Sequence, residues 1–220
     1  MQPLLVAAAI LLLATVLPIA CAERIPVGPP ADPGVRRVLV DTRRPEPFAE
    51  GHRPGALNIQ WGYDQLGARI EAYVPDKRTP IGLIASGRGE AEKAAAVLKR
   101  QGYVDVTLAP DSADGAELAS LPLMTVAELR ALLEGPDPPV VIDVRSLEEY
   151  ATGTIEGALR FEQDEAPRLA EDLERDRAYA VICEGGWRSS QLASWMKREG
   201  FADVANVIDG MSAWRKQSDP

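Results

Sequence analysis

The sequence predicts an α/β protein of two tandem domains, each a mainly parallel sheet with helices on both faces. Three observations lead there. First, Val38-Leu39-Val40-Asp41-Thr42-Arg43 returns 102 residues later as Val140-Val141-Ile142-Asp143-Val144-Arg145. At the same spacing Phe48, Gly51 and Gly55-Ala56-Leu57 meet Tyr150, Gly153 and Gly157-Ala158-Leu159. Further on, Gly102-Tyr103-Val104-Asp105-Val106 meets Gly200-Phe201-Ala202-Asp203-Val204 at a spacing of 98. A repeat this long, with one small indel, is two copies of one domain and not a solenoid. Second, short β-rich apolar runs alternate with helical stretches in each copy, the pattern of parallel strands joined by crossover helices. Third, in the second copy the apolar Ala180-Val181-Ile182 runs into Cys183-Glu184-Gly185-Gly186-Trp187-Arg188-Ser189 and then a helix-like segment.

Taken in chain order, residues 1–22 carry no charged side chain, and Leu4 to Ala14 is an unbroken apolar run. This reads as a secretory signal, with Ala20-Cys21-Ala22 fitting a small-x-small cleavage site. Cys21 after Ile19-Ala20 also loosely fits a lipidation box, and the apolar stretch could stay uncleaved as an anchor. All three readings export the rest of the chain to the periplasm or cell envelope, with a membrane tether in two of them. Residues 23–33 are rich in Pro and small residues and read as a tether. The first domain spans 34–112, with strands expected at Val38–Val40, Ile81–Ile84 and Val104–Leu108. A linker follows at 113–120. The second domain, 121–220, opens on Thr125-Val126-Ala127-Glu128, a capping box before Leu129, Leu132 and Leu133. Its strands are expected at Val140–Ile142, Tyr179–Ile182 and Val204–Ile208. Between the last two, Leu192, Trp195, Met196 and Glu199 follow helical spacing, with Lys197 and Arg198 in the last turn and Gly200 as the C′ residue.

The chain has 220 residues, enough for two small domains, and a net charge of −9, which argues against nucleic acid as a partner. The charge is uneven. Residues 34–111 hold 12 basic and 10 acidic side chains, a net of +2; residues 120–220 hold 11 and 19, a net of −8. Acidic runs on helix surfaces are ordinarily solvated faces. There are two cysteines. With Cys21 removed or lipidated, Cys183 has no partner within the chain, and a lone thiol is most often a small buried hydrophobe. Its glycine-rich setting points elsewhere.

A cysteine between a strand end and a helix start sits where backbone N–H groups converge, a place suited to a thiolate. The segment Glu184 to Ser189 supplies successive amides, and Gly185 and Gly186 let the chain curl around the sulfur. Arg188 adds a cation with a donor fork, and Ser189 or Ser190 can cap the helix or donate to an anion. Trp187 at the tip is a recognition surface or packs against the neighbouring domain. Glu184, on a domain of net −8, should repel an anionic donor.

The Asp-x-Arg strand ends, the aromatic-x-x-Gly-x-x-x-Gly-Ala segments and the Cys-x-x-Gly-x-Arg-Ser loop resemble the rhodanese family in tandem form, over roughly Val35 to Trp214. Asp209-Gly210-Met211-Ser212-Ala213-Trp214 resembles the family's closing turn and helix. The resemblance implies sulfur transfer from thiosulfate or a persulfide to a thiol acceptor, protein thiols included, through a persulfide on Cys183, with no metal or organic cofactor. It implies catalytic roles for Cys183 and Arg188, and substrate contacts from Glu184, Gly185, Gly186, Trp187 and Ser189. It makes His52 and the pairs Asp41/Arg43 and Asp143/Arg145 chiefly structural. Phosphatases related to this fold carry Cys-x5-Arg; the Cys-x4-Arg of Cys183 to Arg188 is a narrower ring, suited to a single sulfur. In the first copy Ala85 stands at the cysteine position and Glu90 at the arginine, so that copy reads as structural or partner-binding. Ser86 has no identifiable base and is not expected to act as a nucleophile. Two rival functions remain at this point: an envelope binding module that docks a redox or maturation partner, and a Cys-dependent phosphatase.

Overall fold

A computed structural model describes residues 36–62, 65–111 and 117–216. The signal segment with Cys21, the tether and the first half of the linker lie outside the described residues. The first domain runs β1 (Val38–Asp41), α1 (Pro45–Glu50), β2 (Leu57–Asn58), α2 (Leu66–Tyr73), β3 (Ile81–Ile84), α3 (Arg88–Arg100) and β4 (Val106–Leu108). The second runs β5 (Leu123–Met124), α4 (Val126–Leu133), β6 (Val140–Asp143), α5 (Leu147–Ala151), β7 (Leu159–Arg160), α6 (Ala166–Ala170), β8 (Ala178–Ile182), α7 (Trp187–Arg198), β9 (Asp203–Val207) and α8 (Gly210–Lys216). The sheets are ordered β2-β1-β3-β4 and β5-β9-β8-β6-β7, and every strand pair in them is parallel. The repeat holds to the register: Val40 pairs with Leu57 as Ile142 pairs with Leu159, and Ile81 pairs with Val106 as Tyr179 pairs with Val204.

The two-residue alternation along the second sheet explains its two covered faces. Ile142, Tyr179, Val181 and Cys183 join one buried cluster with Leu192, Ala193 and Met196 of α7; Val141, Ala180 and Ile182 join another with Val126 and Leu129 of α4 and Met211 of α8. Each fully buried Ile, Leu or Val contributes about 1.5–3 kcal/mol. The expected capping box is complete: Thr125 Oγ1 accepts from Glu128 N–H, and the Glu128 carboxylate accepts from Thr125 N–H at 2.7 Å. Gly200 takes the left-handed conformation just past α7, as expected of a C′ residue.

The domains are joined through α7. Every residue from Ser189 to Met196 is buried, because one side packs on its own sheet and the other meets β2 of the first domain. Ser190 Oγ donates to Asn58 Oδ1 at 2.6 Å, Asn58 N–H donates to Ser194 Oγ at 2.9 Å, and Gln191 Nε2 donates to Gln60 Oε1 at 3.2 Å. Asn58 and Gln60 are fully buried, so these bonds satisfy polar groups that water cannot reach. The first domain therefore braces the helix that begins at the Cys183 loop.

Two motifs hold the strand ends. Arg145 donates Nε and Nη2 to Asp143 and Nη2 to the Gly153 carbonyl at 2.7 Å; Arg43 does the same with Asp41 and with Gly51 at 2.9 Å. His52 is buried with Nδ1 at 2.8 Å from the Phe48 carbonyl and its ring stacked on Phe48. Its backbone pairs with Ala119, tying the described end of the linker to the first domain. These are tying roles, in line with the sequence reading.

Candidate functional site

The Cys183 side chain follows Val181 on the face of the sheet that α7 covers, and Gly186, the N-cap of α7, turns the chain back over it. Gly186 N–H donates to Cys183 Sγ at 3.1 Å, and Ser189 Oγ lies 3.4 Å from it. A second layer fixes this geometry. Ser189 Oγ donates to Asn206 Oδ1 at 2.6 Å, and Asn206 Nδ2 donates to the Gly186 carbonyl at 3.0 Å. With its proton on Asn206, Ser189 can accept from the thiol. The loop amides and the N-terminal end of the 12-residue α7 bring partial positive charge to the sulfur.

Three of the expected site residues have surroundings that the sequence did not indicate. Cys183 is not on a reachable surface: it is 1% exposed, because the strand alternation points it into the core. Arg188 donates Nη1 and Nη2 to the Glu149 carboxylate at 2.5 and 2.6 Å, which ties the loop to α5. Glu184 does not present a bare carboxylate. It is ion-paired with Arg215, and its Oε2 lies 3.6 Å from Arg145 Nη1, which cancels much of the expected repulsion. Gly185 is exposed with open space around it. Trp187 is half-buried, with the Arg44 guanidinium of the first domain 5.4 Å from its ring centroid, so the interdomain packing role is present.

Three contributors were not singled out from sequence, and Gly210 was read only as part of the closing turn. Asn206 carried a signal, a polar residue inside the apolar Val204-Ala205-Asn206-Val207 strand. Glu149 and Arg215 are long-range partners and carried none. Gly210 meets the loop so closely that a Cβ there would lie 2.5 Å from the Cys183 and Glu184 carbonyl oxygens. That approach lets Met211 and Ser212 N–H donate to those carbonyls at 2.8 and 3.1 Å.

The Arg188 fork, with help from Ser146 N–H, lowers the Glu149 pKa from its ordinary 4.5 to about 2. The folded state thus holds fewer protons than the unfolded one between those values, and stability rises with pH there. The stabilisation is complete above about pH 4.5 and is lost as pH falls toward 2. Glu149→Gln is therefore expected to be less stable than wild type at neutral pH, with the gap closing across that window in urea titrations. A gap that stays constant from pH 6 to pH 2.5 would count against this pairing.

The first copy has lost the site piece by piece. In the aligned positions, Cys183, Gly186, Arg188, Ser189, Asn206 and Glu149 become Ala85, Arg88, Glu90, Ala91, Leu108 and Pro47. An open cavity of about 240 Å³ remains there, lined by Ala85, Gly87, Arg88 and Leu108 among others, and Glu90 accepts from Thr42 instead of pairing with an acid.

A family model, that of the rhodanese-like domain, matches residues 30–112 and again 125–217. Among curated proteins, the Bacillus subtilis protein named "Putative sulfurtransferase YtwF" is 34% identical over 97 residues, covering 44% of this chain and 93% of that protein. Its "Putative sulfur carrier protein YrkF" is 30% identical over 96 residues, covering 44% of this chain and 52% of that protein. Among solved structures, a thiosulfate sulfurtransferase from Pseudomonas aeruginosa is 26% identical, covering 84% of this chain and 40% of that one, with a TM-score of 0.40.

Proposed function

The chain belongs to the rhodanese-like family, and on that premise we propose that it is a sulfurtransferase working through a persulfide on Cys183. The observation that carries this reading is the thiol under its glycine loop, with Gly186 N–H 3.1 Å from the sulfur, in the one copy that retains it. The Cys183 thiolate attacks the outer sulfur of a donor R–S–SH. The S–Cys183 bond forms, the donor S–S bond breaks, and the electron pair leaves on R–S⁻. An acceptor thiolate then attacks the outer sulfur of the Cys183 persulfide, and the Cys183 thiolate is the leaving group. Gly186 N–H and the α7 N-terminus stabilise the anion at both stages. Arg188, held by Glu149, positions the loop. The way in is the outer arc at Gly185, where the loop is exposed. The acceptor is a thiol, small or on a protein, and the chain works after export, in keeping with the apolar residues 1–22.

The 1% exposure of Cys183 favours a second reading: the domains serve as a binding module and the thiol is inert packing. Mass spectrometry of the folded protein separates the two. Incubation with persulfide, polysulfide or thiosulfate should add about 32 Da, one sulfur atom, on the peptide containing Cys183. Iodoacetamide at neutral pH should block that addition. Absence of the adduct with all three donors, together with alkylation of Cys183 only in denaturant, overturns the sulfur-transfer reading in favour of the scaffold.

A further inference from the structure

Glu184 lies next to the nucleophile, and its partly exposed carboxylate faces two arginines from different elements. One is Arg215 of α8; the other is Arg145, just past β6. Arg145 is fully buried. Its Nε and Nη2 are taken by Asp143, and Nη2 also by the Gly153 carbonyl. Among the described residues its Nη1 has no hydrogen-bond partner, and it lies 3.6 Å from Glu184 Oε2, too far for a bond. A buried guanidinium nitrogen without a bond is costly, and such groups are normally satisfied. The backbone beneath Glu184 is fixed independently of its side chain, since Ser212 N–H holds the Glu184 carbonyl and Met211 N–H the Cys183 carbonyl. Taking away the carboxylate would therefore leave the Arg215 guanidinium and the Arg145 Nη1 facing one vacated position, a residue from the reactive sulfur.

We propose that Arg145 and Arg215 form an oxyanion site beside Cys183, that the Glu184 carboxylate fills it as a resident anion, and that this excludes donors carrying their sulfane sulfur on an oxyanion. The consequence for donor choice rests on the sulfur-transfer reading; the site itself does not. Arg145 also pairs with Asp143, and Glu149 is paired with Arg188. With Glu184 in place an incoming dianion meets a balanced site and a competing carboxylate. The donor that fits is a sulfane sulfur on a thiol, a persulfide.

The anion site is tested apart from catalysis by titrating sulfite calorimetrically into full-length Cys183→Ser protein with and without Glu184→Ala. The added substitution is expected to tighten sulfite binding by about tenfold or more, the size of one charge-assisted contact regained. Arg215→Gln in the same background should remove the gain. Glu184→Gln, which keeps the volume, should shift binding in the same direction and serves if the alanine variant folds poorly. With Cys183 present, Glu184→Ala should lower the thiosulfate KM by about tenfold relative to that of glutathione persulfide. Equal sulfite affinity with and without the Glu184 carboxylate overturns the proposal. Tighter sulfite binding without sulfur labelling of Cys183 by any donor upholds the anion site and rejects the sulfur-transfer reading alone.

Discussion

Cys183→Ser is expected to abolish sulfur transfer while leaving the fold intact. The hydroxyl occupies nearly the same volume, Gly186 N–H still finds an acceptor, and Ser189 and Asn206 keep their bond. Thermal unfolding should move by no more than a few degrees, as for a near-isosteric change that leaves no polar group unsatisfied. Chemistry is another matter. A serine hydroxyl is neither ionised at neutral pH nor able to carry a transferable sulfur, so turnover with any sulfane donor should fall by at least about 10³-fold, the scale of losing a covalent nucleophile. The 32 Da adduct should vanish with it. Turnover at the wild-type rate in the serine protein would end the persulfide reading. The reciprocal change, Ala85→Cys, is not expected to create a second active site. The first loop lacks the counterparts of Gly186 and Asn206, having Arg88 and Leu108 there, so a thiol at that position would have neither the curled backbone nor its brace.

The comparison of the two copies explains what could be read from the chain. Six strands were expected and found, each end within about two residues, because apolar runs of three to five β-formers leave a clear trace. The three strands of two residues, β2, β5 and β7, went unread; two residues have no periodicity, and their pairing is imposed by neighbours already in place. The start of β4 was set too early. Val104 is exposed and its N–H bonds to the Lys77 carbonyl, so the chain is still turning there. At the site, the residue types were legible and their pairings were not. Arg188 and Glu149 are 39 positions apart, and Glu184 and Arg215 are 31 apart; nothing local in sequence says which carboxylate an arginine will choose. The burial of Cys183 was legible in principle. Tyr179, Val181 and Cys183 share one parity along β8, and in a strand residues of one parity face one side. The glycine-rich loop is itself largely covered, and within it only Gly185 stands clear of the protein.

Gly186→Ala should show how tightly that loop is built. Gly186 has φ of +85°, a left-handed conformation that costs an L-residue about 1–2 kcal/mol. Space is the larger obstacle. A Cβ at Gly186 would stand 2.3 Å from the Ile208 carbonyl oxygen and 2.9 Å from the Ile208 Cα. Both are backbone atoms just past β9, anchored by Ile208 N–H on the Met124 carbonyl, so neither yields as a side-chain tip would. Forcing the loop away from β9 also breaks the Asn206 bond to the Gly186 carbonyl and moves the one amide that meets the sulfur. The combined loss is about 2–5 kcal/mol, the sum of backbone strain and overpacking, and a fall in melting temperature on the order of 10 °C. Sulfur transfer should drop by at least about 10²-fold even at temperatures where the variant stays folded, because the donor to Sγ is displaced. Gly185→Ala is the matched control. Gly185 is exposed, its φ is not positive, and a Cβ there meets nothing within 4 Å. The same added methyl one residue earlier should leave both melting temperature and turnover near wild type. If the two variants behave alike, the loop is plastic, and catalysis cannot depend on the Gly186 amide being held against the sulfur.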